Sequence, residues 1–142
     1  MTVRTNINRP DVWRTPGFPM NQGVVEPEGR RVHLTGQVAW DADFNVLHPG
    51  DAEGQTHAAL DNIASVLEAV GGTLDDVVSI TTYFVRAEDK AAISRARQAR
   101  LSEASGPAAT GIQVAGLWDP DLLVELAAIA VVPHERYHEP KD

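Results

Sequence analysis

Residues 51–85 read DAEGQTHAALDNIASVLEAVGGTLDDVVSITTYFV, and the change of period inside this stretch decides the fold. Leu60, Ile63, Leu67 and Val70 recur at spacings of three and four. That rhythm lays one apolar stripe along a helix predicted over residues 51–70. Asp51 supplies an N-cap carboxylate and Gly71-Gly72 supply the stop. Asp61, Asn62 and Glu68 fall off the stripe. Beyond the glycines, residues 77–85 turn β-branched and aromatic. Val78, Ile80, Thr82 and Phe84 are expected on one face, with Val77, Ser79, Thr81, Tyr83 and Val85 on the other. Both faces are coverable, which predicts an interior strand.

Upstream, residues 1–20 are rich in Pro, Arg and Asn, and residues 1–15 are expected to form an extended lead-in. Val24-Val25, Pro27-Glu28-Gly29 and Arg31-Val32-His33-Leu34 then read as strand, turn and strand, a hairpin signal. Thr35 to Trp40 is expected to continue the sheet, and a loop follows through Asp43, Asn45 and Gly50. Downstream, a weaker helix is predicted over residues 88–104, with strands at 110–117 and 122–132 joined by a turn at Trp118-Asp119-Pro120-Asp121. The order β-β-β-α-β-α-β-β describes an α+β, two-layer domain spanning residues 16–133, with a mixed sheet and two helices on one face. Two helices leave the second sheet face bare. Its apolar positions predict burial against sister chains.

Composition narrows the function classes. At 142 residues, 43% hydrophobic and 23% charged, the chain fits one globular domain. There is no cysteine, which removes disulfides, thiol catalysis and thiolate metal sites, and suits a cytoplasmic location. No apolar run is long enough to cross a bilayer, and Met1-Thr2-Val3-Arg4 does not open a secretory signal. A net charge of −8 argues against nucleic-acid partners. Arg95, Arg97 and Arg100 fall in the second predicted helix, where a solvated face is the expected reading.

Glu125 is the most informative single residue. It shares a strand face with Leu123, Ala127, Ile129 and Val131, so a carboxylate interrupts an apolar row. Burying a carboxylate without a partner costs several kcal/mol. Such a residue is either a general acid/base in a cleft or a structural carboxylate satisfied by backbone amides or a partner chain. Trp40 and Trp118 read as pocket walls or interface packing, and Arg86 as one half of a surface ion pair. Residues 134–142 read as a charged, frayed tail. His134-Glu135-Arg136-Tyr137-His138 matches the H-E-x-x-H zinc pattern, yet it follows Pro133 and lacks a helix and a third ligand. No metal and no cofactor are expected.

In order and spacing, five groups of residues resemble the reactive intermediate deaminase (Rid, or YjgF) family, also called endoribonuclease L-PSP. They are Thr35-Gly36-Gln37, Gln55-Thr56 with Ala59 to Ile63, residues 72–78, Pro107-Ala108 through Val114-Ala115, and Glu125. The resemblance implies a chorismate-mutase-like fold, a homotrimer and small-molecule clefts between subunits. The implied chemistry is hydrolysis of 2-imino or enamine acids to 2-keto acids and ammonia. It maps the family's carboxylate-gripping arginine to Ala109 and the small or cysteine residue after it to Gly111. It maps a tyrosine to Met20, a helix asparagine to Ser94, and retains Gly36 and Glu125. Thr110 and Gln113 lie near the cleft position as hydrogen-bond donors or as plain strand residues. With Ala109 at the clamp position, the cleft is expected to be less positive and to prefer a neutral or cationic ligand. A non-catalytic binding or regulatory trimer is the alternative.

Overall fold

The computed structural model describes residues 3–142. Met1 and Thr2, half of the stretch read above for a secretory signal, lie outside the described residues. The first helix, α1 (Ala52–Glu68), starts where the sequence predicts it: the Asp51 side chain accepts from the Gly54 amide at 3.0 Å. Its stripe residues Leu60, Ile63 and Leu67 are fully buried. The helix ends two residues early. The amides of Val70 and Gly72 both turn back to the Leu67 carbonyl, and Gly71 sits at φ +84°.

Four strands form the main sheet: β3 (Gly29–His33), β4 (Val77–Phe84), β5 (Ala108–Gln113) and β6 (Val124–Pro133). Their spatial order is β3-β6-β4-β5, with β4 and β5 parallel and the other two pairs antiparallel. A second helix, α2 (Lys90–Arg100), connects β4 to β5. The parallel pair requires a crossover, and this helix provides it. Both helices pack on one face, where Val124, Leu126, Ala128, Ala130 and Val132 alternate inward from β6. This is the expected α+β architecture: two helices on a mixed sheet.

The element string agrees with expectation, but its first three members differ. The predicted hairpin does not form. Gly23–Val25 (β2) pairs instead with Thr5–Ile7 (β1) in a separate two-stranded sheet, while β3 pairs with β6 at the far end of the chain. The lead-in therefore contributes a strand, fastened by Arg4, whose guanidinium donates to the carbonyls of Asp75, Val77 and Gly106. Residues 35–40 continue the sheet only at a Gln37–Leu126 bridge.

Two smaller corrections concern faces. An irregularity between Val77 and Ser79 turns Val77 into the helix-side core and leaves Val78 on the other face. Leu123 precedes the strand and also joins the helix-side core, away from Glu125. The final segment is docked rather than frayed. The Arg136 guanidinium donates to both oxygens of the buried Asp76, and the amides of His138 and Lys141 donate to the Val70 and Ala69 carbonyls. Residues 134–136 form a turn, so the H-E-x-x-H histidines do not share a helix. Among the described residues no helix is long and apolar enough to cross a membrane.

Candidate active site

The uncovered sheet face carries Glu125, Ala127 and Ile129 from β6, with Ser79, Thr81 and Tyr83 opposite them on β4. These residues are half-buried in the single chain. Farther out on the same face stand Thr110 and Ile112 of β5, both exposed. Glu125 thus sits in the row the sequence assigns to it, with Tyr83 as its cross-strand neighbour. Among the described residues, no backbone amide and no cation reaches its carboxylate. A structural carboxylate satisfied within its own chain is therefore not what is found.

Gly36 lies directly over this carboxylate. A Cβ built there would overlap Oε2 of Glu125 and stand 3.1 Å from its carboxyl carbon. The requirement at position 36 is space, not backbone freedom. Together Gly36 and Glu125 line an open cleft of about 620 Å³ with Val38, Trp40, Phe44 and Trp118. Trp40 and Phe44 meet edge to face, their ring centroids 5.3 Å apart, and form a firm aromatic wall. Phe44 was not singled out from the sequence. It follows a loop aspartate, Asp41, that binds the Asp43 and Asn45 amides, and it has φ +64°.

The other candidates occupy two different clefts. Met20 and Ala109 share a small one with Asn8, Trp13, Arg14 and Asn21, so the N-terminal segment passes over the Ala109 position. Gln22 clasps that segment, its side chain donating to the carbonyls of Arg9, Val12 and Trp13. Ser94 and Gly111 share the third cleft with Phe18, Thr82, Lys90 and Arg97. Within one chain, then, the structure joins Gly36 to Glu125, Met20 to Ala109 and Ser94 to Gly111, but does not bring the three pairs together.

Arg97 overturns the reading of a solvated arginine face. Arg95 is exposed and reaches Glu53, and Arg100 holds Asp61 at 2.8 Å, but Arg97 is only 6% exposed. Its guanidinium stacks 5.2 Å from the Phe18 ring centroid, and burial lowers its pKa to about 10, leaving it charged at neutral pH. The signal was in the spacing: Arg97 follows Ile93 by four residues, which places it on the inner face of α2. Arg86, by contrast, is the ion pair expected of it, with both Nε and Nη2 donating to Asp89 at 2.8 Å.

A family model, Endoribonuclease L-PSP, matches residues 15–132. The chain belongs to this family. Among solved structures, the Rid-family protein YyfB from Yersinia pestis is 33% identical, with 92% of this chain and 99% of that one covered at a TM-score of 0.83. RidA from an Antarctic Psychrobacter is 27% identical over 90% of this chain and 99% of its own, at a TM-score of 0.66. A putative endoribonuclease from Thermotoga maritima is 28% identical over 80% and 87%, also at 0.66. The two-layer Rid fold expected from the sequence is thereby established.

Proposed function

We propose that this Rid-family chain is a hydrolase that acts on a reactive imine, enamine or related small molecule in a cleft completed by a second copy of the chain. One observation carries the reading: the unpaired Glu125 carboxylate stands in a cleft kept open by Gly36 and walled by Trp40 and Phe44. A carboxylate so placed takes a proton from water as the water adds to the C=N carbon. It gives that proton to nitrogen to form a carbinolamine, then takes the carbinol hydroxyl proton and delivers it to nitrogen as the C–N bond breaks, so that a carbonyl compound and ammonia leave. Main-chain amides beside Gly36 hold the polar end of the substrate. The separation of the three residue pairs supports clefts that each draw on two chains of a cytoplasmic homo-oligomer, and the family resemblance makes that oligomer a homotrimer.

The test is ammonia release from freshly generated imines. Wild type turns over at least one of them, and Glu125→Gln loses about 10²–10⁴ in rate while folding normally. Ala109→Arg, which restores the strand guanidinium, raises turnover of 2-imino acids. Equal rates for wild type and Glu125→Gln would leave the non-catalytic binding trimer as the better account.

A further inference from the structure

We infer that the Glu125 cleft selects a planar organic cation, an amidinium or iminium with an apolar body, which lies against the rings of Phe44 and Trp118 and turns its N–H edge to the carboxylate. The inference rests on the reading of this cleft as the ligand site and names the class of compound admitted there. It does not require that the compound be hydrolysed.

Charge points to a cation. Two carboxylates line the cleft, Glu125 and Asp119, and among the described residues no lysine, arginine or histidine lines it. Asp119 is engaged by the Asp121 amide at 2.8 Å, whereas Glu125 has no such donor. An entering anion would meet that carboxylate between apolar walls, where repulsion is poorly screened. A neutral donor would satisfy its hydrogen bonding and leave its charge uncompensated. A cation does both. The expectation that Ala109 leaves a preference for neutral or cationic ligands is narrowed in this way to the cation.

The walls say which cation. Phe44 is 73% exposed and Trp118 87%, so their rings serve no core of their own chain, while Trp40 backs Phe44 edge to face. An aromatic face carries negative quadrupolar charge and attracts a flat cation laid over it. The chain makes this contact elsewhere, with Arg30 over Tyr137 at 4.6 Å and Arg97 over Phe18. Phe44 is moreover held against its backbone preference, at φ +64°, where bulky side chains are rarely found. Asp41 fixes it there by accepting from the Asp43 and Asn45 amides and, at 3.0 Å, from the Asn45 side chain. A ring in water gains nothing from that conformation; a ring facing a ligand does. Two parallel N–H groups on a planar amidinium match the two oxygens of Glu125, as the Arg86 fork matches Asp89. A compact ammonium would fill neither the aromatic walls nor the second oxygen.

Benzamidinium, benzamide and benzoate offer one shape as cation, neutral molecule and anion. They are titrated by calorimetry at pH 7 into wild type, Glu125→Gln and Trp118→Leu. Benzamidinium is expected to bind wild type about tenfold or more tightly than benzamide, with benzoate weakest. Glu125→Gln should lose most of that preference and bind benzamide as wild type does. Trp118→Leu keeps apolar area at an exposed position but removes the ring face, and should weaken benzamidinium about threefold, benzamide less. Failure of benzamidinium to bind, equal binding of benzamide or benzoate, or undiminished benzamidinium affinity in Glu125→Gln would overturn the inference. So would ammonium alone binding as tightly as benzamidinium. Loss of the oligomer in Trp118→Leu, with all three probes weakened alike, would overturn it too, by making the ring an interface contact only. Turnover of an imine that depends on Glu125, without any preference for benzamidinium, would keep the hydrolase and sink this inference; the preference without turnover of any imine would do the reverse.

Discussion

A methyl group added at Gly36 would meet the far end of a flexible side chain, Glu125, rather than backbone. The carboxylate can swing away, so Gly36→Ala should leave the thermal midpoint nearly unchanged, within about 0.5 kcal/mol of stability. Turnover should fall nonetheless, by about tenfold or more, because a general acid/base displaced by an ångström loses its reach. Parallel melting curves and ammonia-release rates check this; a stable variant with full activity would detach Glu125 from the chemistry. Arg97 makes a prediction with the opposite signature. Its folded pKa of about 10 lies below the ordinary guanidinium range, so between the two the unfolded chain holds one more proton than the folded one. Stability from this group therefore rises with pH across that window, and the penalty of the buried charge is fully present below it. Arg97→Met should be the more stable protein at pH 7, by up to about 3 kcal/mol, and its lead should shrink above pH 10. Glu125 was legible in the sequence because a charge in an apolar strand row has few explanations. Arg97 was not, because three nearby arginines on an acidic protein read as solvated surface until their helical phase is counted from Ile93.

At the scale of elements, side chains that satisfy backbone amides fix where segments begin. Asp51→Ala removes the carboxylate that holds the Gly54 amide and should lower stability by about 1 kcal/mol. Asp76 has more to lose. It accepts from the Thr73 amide at 2.8 Å and receives the Arg136 guanidinium, so it ties the strand entry to the chain's end. Asp76→Ala should cost roughly 2 kcal/mol and free the docked C-terminal segment, seen as faster amide exchange at His138 and Lys141. The same contrast governs what the sequence discloses. Helix α1 was readable because its cap, stripe and stop are local. The pairing of β2 with β1 and of β3 with β6 was not, since two valines and a turn signal fit a hairpin as well as a long-range pair. The docking of residues 134–142 depends on Asp76, some sixty positions earlier, and periodicity carries no trace of it.

For the whole molecule, the uncovered sheet face and the three separate clefts are one problem. Thr110 and Ile112 on the edge strand, Phe44 and Trp118 beside the Glu125 cleft, all stand exposed in a single chain. Covering them with sister chains would bury this apolar surface. Ile112→Glu places a charge on that face and should shift sedimentation toward the monomer, with loss of turnover although Glu125 is intact. A mixing experiment then asks whether the two clefts work as one site. Glu125→Gln and Gly111→Trp chains, the second filling the Ser94–Gly111 cleft and each expected to be nearly inactive alone, are dissociated, combined in equal amounts and re-associated. If each site takes its acid from one copy and its Ser94–Gly111 wall from the neighbour, random assembly leaves roughly a quarter of the sites with both intact, and activity should return in that proportion. If both groups act within one chain, no mixture recovers anything.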